Sequence, residues 1–382
     1  MLFDLTPEQE EFRRVVREFA TTAIAPRAAE LDATGEFPVD LVHAMGDLGL
    51  FGLPFSEELG GGGADYLTYC LAIEEIARID ASMAITLEAG VSLGAAPFVY
   101  FGTPEQQKRW LPDLLAGRRL GAFGLTEPEA GSDAGATRTT AVRDGDEWVV
   151  NGAKTFITNS GTPITQNVTI TAVTSRDPDG RPRISNFVVP AGAAGFVVEP
   201  KYAKMGWRAS DTHGLVFQDC RVPADHMLGA EGEGFRNFLR ILDEGRIAIA
   251  AMSVGMAQGC LDEATRYAGE RTAFGRPIGK NQGVAFRIAD MATAVDASRL
   301  LTYRAAWLRD QGRPFKKEAA IAKLHASEAA VDATRSATQI FGGYGYMDEY
   351  PVSRMYRDAK VLEIGEGTSE IQRQVIASEL GL

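Results

Sequence analysis

The sequence has little cysteine and little histidine. Its three cysteines, Cys70, Cys220 and Cys260, are widely scattered and form no CxxC pair. That excludes a disulfide framework and a zinc ribbon, and it fits a reducing compartment. The four histidines, His43, His213, His226 and His325, lie far apart with no HExxH pair, so no metal site is expected from them. No GxGxxG, GxxxxGK[ST] or GxSxG occurs, and nicotinamide, P-loop and α/β-hydrolase chemistry lack their signatures. The run Gly60–Gly63 leads into Ala-Asp-Tyr rather than a lysine and reads as a turn. Positive charge is also short: 39 Lys+Arg against 51 Asp+Glu give a net charge of −12. Such a chain is a poor partner for phosphate backbones, so no nucleic acid is expected.

Long apolar runs are missing too. The longest, Ile247–Ala257, is broken by Ser and Gly and falls well short of the ~18 residues of a membrane span. No integral membrane segment is expected. The opening MLFDLTPEQEEF is acidic where a signal peptide is basic, which points to a cytoplasmic chain.

What is present is enough apolar material for real cores: 382 residues, 45% hydrophobic and 24% charged, the size of two or three domains. Periodicity divides the chain into three regions, 1–119, 120–231 and 232–382. The first reads as helical. Thr6-Pro7-Glu8-Gln9 and Thr103-Pro104-Glu105-Gln106 are capping boxes with proline at the first helical position. Asp65 precedes a run in which Leu67, Cys70, Leu71, Ile73 and Ile76 recur at near-helical intervals. The middle region consists of short runs rich in Val, Ile, Thr and Phe. Asn151-Gly152 is read there as a two-residue hairpin turn. No long helix separates these strands, so an antiparallel barrel or sandwich is expected. The last region predicts long helices over 234–268, 281–311, 314–340 and 368–380, arranged as a four-helix bundle.

Two segments carry chemistry. Gly124-Leu-Thr-Glu-Pro-Glu-Ala-Gly-Ser-Asp133 is a turn-rich loop whose Thr126 and Ser132 hydroxyls can face a polar ligand. Near the C-terminus, Glu366 stands between Gly365 and Gly367, just before a helix that Thr368 can cap. Flanking glycines allow unusual backbone angles and close ligand approach. A carboxylate buried there would have a raised pKa and could work as a base.

These segments, with QIFGGYGYMDEYPVSRMYRD and the tail RDAKVLEIGEGTSEIQR, resemble the acyl-CoA dehydrogenase flavoprotein family over nearly the whole chain. The resemblance implies a helical domain, a β domain and a C-terminal four-helix bundle. It implies bound FAD, a homotetramer, an acyl-CoA substrate and an electron-transferring flavoprotein as acceptor. By resemblance, Glu366 takes the α-proton while the β-hydride passes to flavin N5. The Glu366 backbone N–H and a ribityl hydroxyl would stabilise the developing enolate.

The same resemblance assigns Phe123, Leu125, Thr126, Ser132, Phe156 and Thr158 to the flavin. Arg271 and Phe274 would reach the FAD of a neighbouring subunit. Gln339 and Gly343 would touch its adenosine half, and Thr368 and Glu370 contact FAD beyond the base. Ser132, Asp243, Arg246 and Gly367 would meet the substrate.

Three departures stand out. Gly365 replaces a frequent Tyr, Phe156 replaces a frequent Trp, and Gly245 occupies the position from which some members supply the base. Glu244, its neighbour, is a second candidate for that role. The C-terminal third looks most similar to short-chain and short-branched-chain members, although Ala89 and Gly90 could leave room for a longer acyl group. An oxidase of the same fold, passing electrons to O₂, and a non-catalytic helical binding protein are the alternatives.

Overall fold

Thr6 and Thr103 cap their helices as the Thr-Pro-Glu-Gln pattern requires. In each, the threonine side chain accepts the backbone N–H of the Gln, and the Gln side chain reaches back to the cap. The computed structural model describes residues 4–382. Its first part is helical: α1 (Pro7–Phe19), α2 (Ala28–Thr34), α3 (Val39–Asp47), α4 (Tyr66–Ala77), α5 (Ala81–Glu88), α6 (Ala96–Phe101) and α7 (Pro104–Leu115). Asp65 caps α4 by accepting from Thr68 N. Between α5 and α6 the backbone winds as a π-helix over Ala89–Ala95. The reading of Ile247–Ala257 as the longest apolar run is corrected here: Ala81–Phe101 has the length and hydropathy of a membrane span, yet 78% of its apolar window is buried inside the protein. It is a core element.

The middle part is a sheet of β1 (Leu120–Gly124), β2 (Thr140–Asp144), β3 (Glu147–Thr158), β4 (Thr165–Arg176), β5 (Pro182–Pro190), β6 (Phe196–Val198), β7 (Thr212–Pro223) and β8 (Met227–Leu228). The strand order is β6-β7-β3-β2-β4-β5-β8, with β1 beside β4. Most pairs are antiparallel, as expected. The pairs β1–β4 and β2–β4 are parallel. Parallel neighbours need a long crossover but not necessarily a helix; the loop after β1 and the β2–β3 hairpin supply it.

One turn reading is corrected. Asn151-Gly152 is not a hairpin turn, because β3 runs straight through it. The turn sits at Gly145-Asp146, where Gly145 has φ +62°. Gly152 instead marks a bulge against β7, where a Cβ would press on Thr139. Asn151 is occupied across that bulge: its side chain exchanges two hydrogen bonds with Asp219, which itself has φ +49°.

The last part contains α8 (Gly234–Glu270), a small hairpin of β9 (Thr272–Ala273) and β10 (Arg276–Pro277), α9 (Gln282–Asp310), α10 (Lys316–Phe341), α11 (Pro351–Ala359) and α12 (Ser369–Glu379). The apolar run Ile247–Ala257 is the buried centre of α8. The three long helices α8, α9 and α10 pack together, and α12 packs on α10. Helix α4 lies against α8 and α9, so the first and last parts share one hydrophobic core. A smaller cluster of Phe123, Phe238 and Ile241, flanked by Leu93, Tyr100 and Leu125, joins all three parts at one place. The site lies next to it.

Candidate active site

The site is built around a loop that would unravel without outside support. Between a 3₁₀ turn (Lys360–Glu363) and α12, Glu366 takes the left-handed conformation, φ +50°, and Gly367 follows at +94°. A non-glycine residue there is strained and persists only where surroundings hold it. Here Lys323 Nζ and Gln372 Nε2 each donate to the Gly367 carbonyl at 2.8 Å, and Gln372 Nε2 also donates to the Glu366 carbonyl at 3.3 Å. Thr368 caps α12 through Ile371 N, as its sequence position suggested.

The Glu366 residue keeps some exposed surface, but both its carboxylate oxygens are shut off from solvent and find no donor among the described residues. Burial raises its pKa to about 7, against the opposing pull of the Lys323 and Arg246 charges and of the adjoining Glu88 carboxyl. Lys323 is itself lowered to about 8 by burial.

Helix α8 supplies the opposite wall. Gly245 faces Glu366 so closely that a Cβ there would lie 3.0 Å from Cδ and 3.2 Å from Oε1. Arg246 is buried, paired to Asp243 at 2.5 Å, with its Nε left without a partner. Glu244, the second candidate for the base, is engaged elsewhere. Its Oε2 accepts from Tyr100 Oη at 2.6 Å and Arg309 Nη2 at 3.0 Å, and its carbonyl accepts from Tyr66 Oη. Glu244, Tyr66 and Tyr100 border a narrow cleft of about 10 Å³ also lined by Phe55, Val91 and Ile241. That is room for about one water. Gly90 does not enlarge it, because the Phe51 ring occupies the space a Gly90 side chain would take.

The β sheet contributes a second surface. Thr126 O accepts from Thr155 N at 2.9 Å, which places the first signature loop beside β3. There Phe156, 67% exposed and held at φ +61°, stands next to Tyr202 at 5.5 Å. Thr158, at the end of β3, and Leu125 and Thr126, just after β1, are partly exposed. Ser132 is exposed on the loop. The Phe123 side chain packs into the interior against Phe238, ring centroids 4.9 Å apart. It supports the site from behind.

Sequence reasoning passed over the pair that shapes this loop. Lys154 and Glu127 form a buried ion pair at 2.7 Å. Lys154 Nζ also donates to Leu125 O and Thr171 Oγ1, while the Glu127 carboxylate accepts from Arg138 N and Thr139 N. The only available signal was a Glu inside a signature and a Lys inside a strand-forming run.

A third group stands apart. Arg271 lies over the Tyr344 ring at 5.6 Å, which brings it to the segment carrying Gln339 and Gly343. Phe274 is 98% exposed at φ +52°. No hydrogen bond or ion pair joins this group to Glu366 among the described residues. Glu370 is exposed in the first turn of α12.

The residues present fit a flavin. A large aromatic face left bare in a strained backbone conformation suits a flat ring, and threonine hydroxyls nearby suit its polar edge.

Comparison with known proteins agrees. The chain matches models of the acyl-CoA dehydrogenase N-terminal domain over residues 6–118, middle domain over 122–220 and C-terminal domain over 232–381. It is 51% identical to a probable acyl-CoA dehydrogenase of Bacillus subtilis, covering 100% of both chains. The solved butyryl-CoA dehydrogenase of Megasphaera elsdenii is 44% identical, with a TM-score of 0.96 and 100% of each chain covered. A structure titled for the electron transferring flavoprotein of Acidaminococcus fermentans has a chain 43% identical, with a TM-score of 0.96, covering 100% of this chain and 99% of its own. With all three domain models matched in order, the chain belongs to the acyl-CoA dehydrogenase family of FAD-dependent oxidoreductases.

Proposed function

We propose that this enzyme dehydrogenates short or short-branched acyl-CoA thioesters between the α and β carbons, with Glu366 as the base. The observation that carries the reading is the Glu366 carboxylate, buried, with neither oxygen bonded to a cation, amide or hydroxyl, and raised to about 7. A base whose pKa lies near neutrality combines a useful ionised fraction with enough driving force to take a weakly acidic proton. FAD supplies the hydride acceptor. The left-handed turn at Glu366 presents its backbone N–H as a donor for the thioester oxygen, and excluded water strengthens that bond. Asp243, Arg246 and Gly367 meet the substrate. Leu125, Thr126, Ser132, Phe156 and Thr158 hold the flavin, with Thr368 and Glu370 beyond the base.

Arg271, Phe274, Gln339 and Gly343 reach the cofactor of a neighbouring copy, in a homotetramer. The bare Phe274 ring supports that reading. Likeness to the butyryl-CoA enzyme supports a short acyl chain, and likeness to the chain in the structure titled for an electron transferring flavoprotein supports such a flavoprotein as acceptor. The reaction is assigned to the cytoplasm.

The test is anaerobic bleaching of the flavin by straight and branched acyl-CoAs. Glu366→Gln should keep flavin and ligand bound but slow bleaching by ~10²–10⁴-fold. Near-normal bleaching in that variant would move the base elsewhere. Rapid recolouring in air with peroxide release would instead favour the oxidase.

A further inference from the structure

A second buried carboxyl adjoins the base, and the proposed reaction does not use it. Glu88, the last residue of α5, has no exposed surface. Ser92 Oγ donates to its Oε1 at 2.5 Å, which holds the side chain in place. Its Oε2 is buried without a donor, as are both oxygens of Glu366, and the two carboxyl groups adjoin, each shifting the other's titration. Two carboxylates cannot share such a contact, since both only accept. One proton between them resolves it, giving a donor to an oxygen that otherwise has none and removing a like-charge clash in a dry site.

We propose that Glu88 and Glu366 share a single proton in the substrate-free enzyme, carried by Glu88, which makes Glu88 a positioning residue that keeps Glu366 ionised and aimed.

The assignment of the proton to Glu88 follows from the surroundings. Glu366 is faced by two cations, Lys323 from α10 and Arg246 from α8, which favour its charged form. Glu88 is faced by Ser92 on its own helical segment and by Glu366, and burial raises its pKa well above the ordinary carboxylate range. Tyr69 from α4 also faces both acids; burial keeps its phenol neutral and its hydroxyl has no partner. When Glu366 takes the α-proton, both acids become neutral. One proton must then leave to solvent before the next turnover.

This deepens the proposed role of Glu366 and rests on it, but the first test does not. Infrared difference spectra of the substrate-free protein, wild type against Glu88→Gln, should show a protonated carboxyl band at about pH 6, above the ordinary range of Glu, that the variant lacks. Asp358, also raised, contributes equally to both spectra and cancels. The second test is the pH profile of anaerobic bleaching. Glu88→Leu removes the donor, so the acid limb should move up by about one unit. Glu88→Gln keeps a donor and should restore the limb toward its original position. A merely structural Glu88 would change flavin content in both variants without moving the limb. No carboxyl band lost in Glu88→Gln, or an unmoved limb in a folded Glu88→Leu, overturns the proposal. If no acyl-CoA bleaches the wild-type flavin, the functional reading fails while the infrared result still decides the shared proton.

Discussion

Gly245 on α8 and Glu366 on the loop before α12 occupy adjoining space: a Cβ on Gly245 would press into the Glu366 carboxyl group, 3.0 Å from its Cδ. The missing side chain on one element is the room for the carboxylate of the other. Gly245 stands where some relatives of this family were expected to place the base, so the two positions exclude each other sterically.

Gly245→Ala tests that relationship. Alanine is favoured over glycine inside a helix by up to about 1 kcal/mol, so the fold should hold or gain. The Glu366 carboxyl must shift, and bleaching by substrate should slow by ~10-fold or more, since misplacement of about 1 Å is costly. Thermal unfolding and single-turnover bleaching, measured together, check both halves. A variant as fast as wild type would show that the loop yields freely.

Lys154→Met leaves Glu127 buried without its cation. Breaking one side of such a pair typically costs about 3–5 kcal/mol, and urea unfolding should show a loss of that order. The double variant with Glu127→Gln should recover part of it, because the uncompensated charge is gone. Flavin content should fall with the single variant, since the pair shapes the loop of Leu125 and Thr126.

Asp358 makes stability depend on pH. Its carboxyl accepts from Trp207 N at 2.6 Å, and burial, with Asp80 close by, raises its pKa from 3.8 to about 7. Between those values the folded protein binds more protons than the unfolded chain, so stability falls as pH rises through that window. Asp358→Asn cannot ionise. Its unfolding free energy relative to wild type should therefore improve from about pH 4 to pH 7, read by denaturant titration at each pH. A constant difference across the window would count against the shift.

Arg271→Ala should loosen flavin retention, since it removes a cation that, in the proposed assembly, reaches a neighbouring copy's cofactor. Absorbance of the purified variant after dialysis reads this directly, and size-exclusion chromatography shows whether the assembly itself survives. Full flavin content in an intact assembly would remove Arg271 from the cofactor site.

Local signals were legible wherever the physics is local. The Thr6, Thr103 and Thr368 caps and the long C-terminal helices follow from hydroxyl chemistry over a few residues and from helical periodicity. The Asn151-Gly152 turn failed for the complementary reason. A dipeptide that suits a tight turn also suits a bulge, and only pairing with β7 and the closeness of Thr139 decide between them.

Sequence alone determined the three-part order, the helix starts, the two signature loops and the candidate carboxylate between glycines, because each is written in neighbouring residues. Tertiary structure decided how that carboxylate behaves. The charges of Lys323 and Arg246, the void at Gly245, the second acid at Glu88 and the Lys154–Glu127 pair come from elements far apart in the chain. Burial and proximity set a proton's affinity, and neither is a property of a sequence until the chain has folded.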